Sequence, residues 1–177
     1  RGRALGVTMQ LPVDDRHNYS KDYLENTLAV LLGGRVAEQI FLNQTTTGAG
    51  NDLEKTTKMA RKMVCEWGMS DALGPLSLGD NGDEVFLGRE LVQHKQYSEE
   101  TARLIDAEVK RIIQDAYEKA QDLLKKNGKM LKDIAEALLE RETISGAELT
   151  KIMDGEELPP LEVNPEIKQK DSVEKDK

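Results

Sequence analysis

The chain has 177 residues, with 33 acidic side chains against 25 basic ones and a net charge of −8. That length suits one domain with a proper core and a short extension. The acidic balance, with no basic stripe, argues against a nucleic-acid partner, and the absence of any run of about 18 apolar residues argues against a membrane span. Hydrophobic residues make up 38% and aromatics only 4%, a mix rich in Leu, Ala, Glu and Lys that favours helices over sheets. Cys65 is the sole cysteine, so no intrachain disulfide forms, and its place in an apolar helical pattern makes it a small core residue. The chain opens at Arg1 without Met or signal peptide, as a piece of a longer protein would.

Ala4 to Leu11 reads as a short strand ended by Pro12, with Gly2 and Gly6 leaving its backbone bare enough for a bulge or for close approach by another backbone. Val13 to Tyr19 is polar and turn-like. A helix begins near Ser20 with Asp22 in its first turn, and Leu24, Leu28, Leu31, Leu32, Val36, Ile40 and Phe41 recur at helical spacing. Gly33-Gly34 inside it costs about 1 kcal/mol per glycine and predicts close packing or a kink. Arg35 and Glu38 stand one turn apart, as a surface pair or as buried polar groups.

Thr45-Thr46-Thr47-Gly48-Ala49-Gly50-Asn51-Asp52 forms a tight polar loop that opens the next helix. A carboxylate there faces unpaired backbone N–H groups and the positive end of the helix dipole. Two readings stand side by side: Asn51 or Asp52 caps the helix, or Asp52 is presented to a cation. The helix itself, about Asn51 to Trp67, carries Leu53, Thr56, Ala60, Met63, Val64 and Trp67 on its buried stripe, with Gly68 as its stop. Leu76-Ser77-Leu78 and Val85-Phe86-Leu87 flank Gly79-Asp80-Asn81-Gly82-Asp83, the turn chemistry of a small hairpin. Asp80, Asp83 and Glu84 lack the calcium-loop pattern.

Ser98 opens the longest helix, to about Lys126, with Ile105, Val109, Ile112, Ile113, Ala116, Ala120 and Leu123 on one face. Asn127-Gly128 ends it, a further helix follows from about Lys129 to Arg141, and Ser145 with Glu148 forms a capping box for a last helix to Met153. After Leu158-Pro159-Pro160 the chain is almost purely polar, so residues 158–177 are expected as a disordered tail behind a helical domain of residues 1–157. No Ser or Cys nucleophile sits beside a base, His17 and His94 are far apart, and neither a phosphate-binding Gly-rich loop with its Lys nor a His-Glu-x-x-His motif occurs.

Four stretches carry a resemblance: Arg1-Gly2-Arg3-Ala4-Leu5-Gly6, Ala29 to Glu38 around Gly33-Gly34-Arg35, Thr46-Thr47-Gly48-Ala49-Gly50-Asn51-Asp52, and Trp67-Gly68-Met69-Ser70-Asp71 followed by Leu73-Gly74-Pro75. In this order they resemble the peptidase domain of the FtsH-type, membrane-anchored, ATP-dependent zinc metalloproteases, over roughly Arg1 to Met153. The resemblance implies a mainly α, multi-helix metallopeptidase domain with a short N-terminal strand and a small hairpin. It implies one zinc per subunit, held by two histidines of a His-Glu-x-x-His helix upstream of Arg1 and by Asp52 as third ligand. The upstream glutamate would be the general base, so no catalytic residue falls in this chain, which alone would be inactive. Glu38 is expected to bond a ligand histidine, and Leu5, Gly6, Val7 and Thr8 to line the cleft where an unfolded substrate adds as a strand. ATP would bind the ATPase domain rather than this chain, and the membrane would be met only through N-terminal segments. The implied setting is a homo-hexamer at the cell inner membrane with the peptidase on the cytoplasmic side, degrading unfolded and membrane proteins. The alternative is a non-catalytic oligomerisation or interaction module of the same family.

Overall fold

The computed structural model describes residues 18–78 and 97–160. Five α-helices occupy them: α1 Lys21–Ala37, α2 Gly50–Cys65, α3 Glu99–Lys126, α4 Gly128–Arg141 and α5 Gly146–Met153. No strand occurs among the described residues. The strand expected at Ala4 to Leu11 and the turn and second arm of the hairpin lie outside them. The first arm, Leu76 to Leu78, has no strand ladder; the Leu78 N–H donates to the Cys65 carbonyl at 2.7 Å and ties the segment to the end of α2. The chain divides into two compact units between Leu123 and Leu124.

The first unit is organised by α1. Ser20 caps it, its Oγ accepting from the Tyr23 N–H at 3.2 Å, and Asp22 sits in the first turn as the dipole favours. Leu24, Leu28 and Leu32 of α1 meet Ala60, Met63, Val64 and Cys65 of α2 and Ile105, Val109, Ile112 and Ala116 of α3 in one core. The spacing in each helix keeps these residues on a single face, which is why three amphipathic helices suffice to bury them. Lys119 of α3 donates to Asn26 of α1 at 2.6 Å, and the Tyr117 hydroxyl donates to Gln39.

Gly33 and Gly34 do not interrupt α1, and neither lies against another element. The helix runs through both, and a Cβ built at either has no neighbour within 4 Å. The departure comes later. At Glu38 the helix widens into a π-type turn, Glu38–Leu42, and closes at Asn43 in the left-handed region (φ 47°). The wider i→i+5 turn carries Phe41 and Leu42 off the buried face, to 45% and 63% exposure, so the apolar stripe read through Phe41 stops short of it.

Helix α2 likewise ends before its sequence pattern does. It stops at Cys65, and Trp67, expected in its stripe, is 44% exposed. Gly68 turns the chain with φ +58°, and a Cβ there would stand 3.0 Å from the Pro75 Cα, so both the backbone conformation and the close approach require glycine. The segment that follows is pinned by a buried polar cluster. Ser70, 2% exposed, donates to Glu108 Oε2 at 2.7 Å and accepts from the Leu73 N–H at 3.2 Å. Arg111 grips the same carboxylate through Nε at 3.0 Å and Nη2 at 3.1 Å and reaches Asp115 with Nη1 at 2.7 Å. Outside the cluster, Lys21 pairs with Asp71 at 3.1 Å. The Arg111 hydrogen bonds hold the Glu108 carboxyl below the usual carboxylate range, against its burial and with help from Ser70.

In the second unit, α4 and α5 are joined through Glu142 in the left-handed region (φ 60°). The capping box is formed as the sequence implies: Ser145 Oγ accepts from the Glu148 N–H at 3.3 Å, and the Ser145 N–H donates to Glu148 Oε2 at 2.9 Å. Arg141 reaches Glu148 at 3.4 Å and the Pro159 carbonyl, which anchors the irregular end of the described chain.

Two predictions follow from this packing. Leu28 is fully buried, so Leu28→Ala should lose about 2–5 kcal/mol of unfolding free energy in urea titration, whereas Gly34→Ala, with open space at Cβ, should gain about 0.4–1 kcal/mol. Equal losses would contradict the packing described. Because the Glu108 value is lowered in the folded state, its contribution is complete above the usual carboxylate range and is lost as pH falls through the lowered value. The stability gap between the protein and Glu108→Gln, measured by urea unfolding, should therefore be largest near about pH 7 and shrink toward about pH 3; a gap that grows on acidification would refute this.

Candidate functional site

The loop between α1 and α2 is polar and exposed, and its shape is set by hydrogen bonds rather than by burial. Glu38 holds it at two levels. Its main-chain carbonyl accepts from the Asn43 and Gln44 N–H groups, the latter at 3.4 Å, which closes the π turn. Its carboxylate accepts from Thr46 twice, from Oγ1 at 2.8 Å and from the N–H at 3.3 Å. Arg35, one turn earlier, donates from Nη1 to the Thr46 carbonyl at 3.0 Å. Arg35 and Glu38 thus converge on one loop residue, where the sequence suggested a surface pair or buried polar groups. Thr46 passes the constraint on, because its Oγ1 accepts from the Gly48 N–H at 3.2 Å and caps a short 3-10 turn, Thr47–Ala49. Gly48 lies close to this group: a Cβ there would be 3.2 Å from Thr46 Oγ1 and 3.7 Å from Glu38 Oε1.

Helix α2 starts at Gly50, earlier than the sequence pattern indicated, so Asn51 and Asp52 are its second and third residues. The cap position falls on Ala49, which offers no side-chain bond. Neither Asn51 nor Asp52 is the cap. The Asp52 carbonyl accepts from the buried Thr56 hydroxyl at 2.6 Å, which fixes the backbone of this turn. The Asp52 carboxylate meets Lys55 at 3.4 Å, with 40% of the aspartate side chain exposed. An ion pair this exposed is worth about 0–1 kcal/mol and is readily exchanged for another partner. The carboxylate therefore stands in the first turn of a rigid helix and is only loosely engaged.

Among the described residues no group of three His, Cys, Asp or Glu side chains comes together in a way that could hold a metal ion. Asp52 supplies an oxygen donor of the type zinc accepts, but the described residues include no imidazole, since His17 and His94 lie outside them. They fit zinc as the source of one donor and do not complete a set. Leu5, Gly6, Val7 and Thr8 also lie outside the described residues. Glu38 uses two of the roughly four acceptor sites of its carboxylate on Thr46, which leaves capacity for a further donor.

A family model described as peptidase family M41 matches residues 1–152. The chain belongs to peptidase family M41. Its relatives include the ATP-dependent zinc metalloprotease FtsH of Acidobacterium capsulatum, 58% identical over 161 residues, which make up 91% of this chain and 25% of that one. The protein of the same name from Magnetococcus marinus is 58% identical over 156 residues, 88% of this chain and 23% of that one. The ATP-dependent zinc metalloprotease FtsH 4 of Sorangium cellulosum is 47% identical over 180 residues, covering 100% of this chain and 28% of the relative. The chain spans about a quarter of the length of these curated relatives. Its M41 membership gives the Thr46–Asp52 loop its interest: within this peptidase family, the chain places a loosely held carboxylate at the start of a helix whose entry loop is hydrogen-bonded to the end of the preceding one. No helix among the described residues is long and apolar enough to cross a membrane.

Proposed function

We propose that this chain is the C-terminal peptidase part of a longer ATP-dependent zinc metalloprotease that degrades unfolded and membrane proteins. Asp52 is the ligand it contributes to the zinc ion, the third of three, with two histidines supplied from outside the chain. The observation that carries this reading is the state of Asp52, which is in the first turn of α2 without serving as its cap and, among the described residues, is engaged only by an exposed Lys55. A carboxylate that caps a helix has its oxygens committed; this one does not. Family membership and the printed names of relatives at 58% identity support zinc and proteolysis as the chemistry.

Zinc, when bound, supplies a water of lowered pKa and polarises a scissile carbonyl. The part played by this chain is positional. The fixed backbone of α2 presents the Asp52 oxygens, and exchange of Lys55 for the metal costs little because the ion pair is solvated. Glu38, at the end of α1, has acceptor capacity left to bond a ligand histidine and fix its ring orientation. Leu5, Gly6, Val7 and Thr8 are the residues we assign to pairing with an extended substrate. ATP is bound and used by an ATPase domain outside this chain, and the assembly is a homo-hexamer held at the cell inner membrane with its peptidase part on the cytoplasmic side.

The test uses the full-length protein and its Asp52→Ala variant, with zinc content and cleavage of an unfolded protein as the readouts. About one zinc per subunit is expected in the parent, with zinc and cleavage both falling to background in the variant. Zinc and cleavage retained in Asp52→Ala would remove Asp52 from the metal site, and a zinc-free, inactive parent would favour the non-catalytic module.

A further inference from the structure

Thr46 stands out because all of its polar groups are engaged. Its N–H and hydroxyl donate to the Glu38 carboxylate, its hydroxyl oxygen accepts from Gly48, and its carbonyl accepts from Arg35. The loop around it has no apolar anchor, since residues 43–48 are all exposed. Helix α2 has no side-chain cap of its own at Ala49. The start of α2 is therefore set by the 3-10 turn ahead of it, where the Gly50 N–H donates to the Thr47 carbonyl, and that turn is capped by Thr46. Asp52 is the third residue of the helix so fixed.

We propose that Arg35, Glu38 and Thr46 form a clamp that positions Asp52 for metal binding, with Thr46 as the residue through which the end of α1 sets the first turn of α2. This rests on the reading of Asp52 as a zinc ligand and adds to it the residues that hold the ligand in register. The physical argument is one of preorganisation. A ligand carried on an exposed loop-to-helix junction must be ordered on binding unless the junction is already ordered, and a metal site tolerates little displacement of its donors. The clamp supplies that order from two directions: a carboxylate that accepts hydrogen bonds from the Thr46 N–H and hydroxyl, and a guanidinium that donates to the Thr46 carbonyl. Because Arg35 lies in the last turn of α1 and Glu38 directly follows that helix, the loop is tied to the helix that organises the core. Thr46, Arg35 and Glu38 act through Asp52, so they are positioning residues.

The experiment measures zinc affinity of the full-length protein by competition with a chromophoric chelator, together with the melting temperature of the zinc-free form. Thr46→Val keeps the shape of the side chain and removes its hydroxyl; zinc binding should weaken by about tenfold or more. Thr46→Ser keeps the hydroxyl and should bind within about threefold of the parent, a rescue that a role in packing alone would not give. Arg35→Gln, which leaves the bonds from Thr46 to Glu38 and Gly48 in place, should weaken binding in the same direction, and it decides the matter if Thr46→Val melts too low to be assayed. Parent-like affinity in Arg35→Gln and Thr46→Val while Asp52→Ala loses its zinc would overturn the clamp alone. Equal loss in Thr46→Ser and Thr46→Val would overturn it as well. Zinc retained in Asp52→Ala would instead bring down the ligand reading and the clamp with it.

Discussion

Glu38 is where the last turn of α1 becomes the entry to α2, and it holds both sides of that change. Its carbonyl closes the widened turn by accepting from Asn43 and Gln44, and its carboxylate accepts hydrogen bonds from the Thr46 N–H and hydroxyl. Bonds to an ionised acceptor are roughly twice as strong as neutral ones, which matters on a loop with no buried side chain to weigh it down. The π turn is part of the same arrangement. Such turns recur at functional sites, and here the widened stretch begins at the residue whose carboxylate the loop needs.

A second polar cluster plays a comparable part at the other end of α2. Beyond Gly68 the chain has left the helix, and Ser70 anchors it to the Glu108 carboxylate on α3, which Arg111 also grips. A buried carboxylate is costly alone and acceptable when it is paired and hydrogen-bonded; Glu108 accepts two bonds from Arg111 and one from Ser70. Between the two clusters lies the core face of α2, with Ala60, Met63 and Val64 fully buried. The helix that carries Asp52 is thus held along its length by apolar contact, at its start by Thr46, and just past its end by Ser70.

Much of this was legible in the sequence, for definite reasons. Ser20 with Asp22, and Ser145 with Glu148, are local signals that act within three residues of themselves, so the starts of α1 and α5 were read correctly. The strides of four and three in α3 identified Ile105, Val109, Ile112, Ala116 and Ala120 as its buried face. What escaped was whatever depends on a partner distant in the chain or on a departure from ideal period. Phe41 and Trp67 were assigned to buried faces by extending a 3.6-residue period past the points where α1 widens and α2 stops. Gly33-Gly34 suggested a kink or tight contact; the helix is continuous through both, and no neighbour lies within 4 Å of a Cβ at either. Nothing in the local pattern of α3 singles out Glu108, because its partner Ser70 is 38 residues away. Asp52 stood out in sequence as a carboxylate at a helix start; that it is not the cap follows only from the helix beginning at Gly50, and the grip of Arg35 and Glu38 on Thr46 follows only from how the loop folds back.

The central claim is that Asp52 enters the coordination sphere of a metal ion from a position fixed before the metal arrives. X-ray absorption at the zinc edge on the zinc-loaded full-length protein, combined with anomalous diffraction to locate the ion, tests it most directly. A single zinc with a carboxylate oxygen of Asp52 at about 2.0–2.2 Å and two nitrogen donors is the predicted result. A zinc ion whose full donor set excludes Asp52 would contradict it.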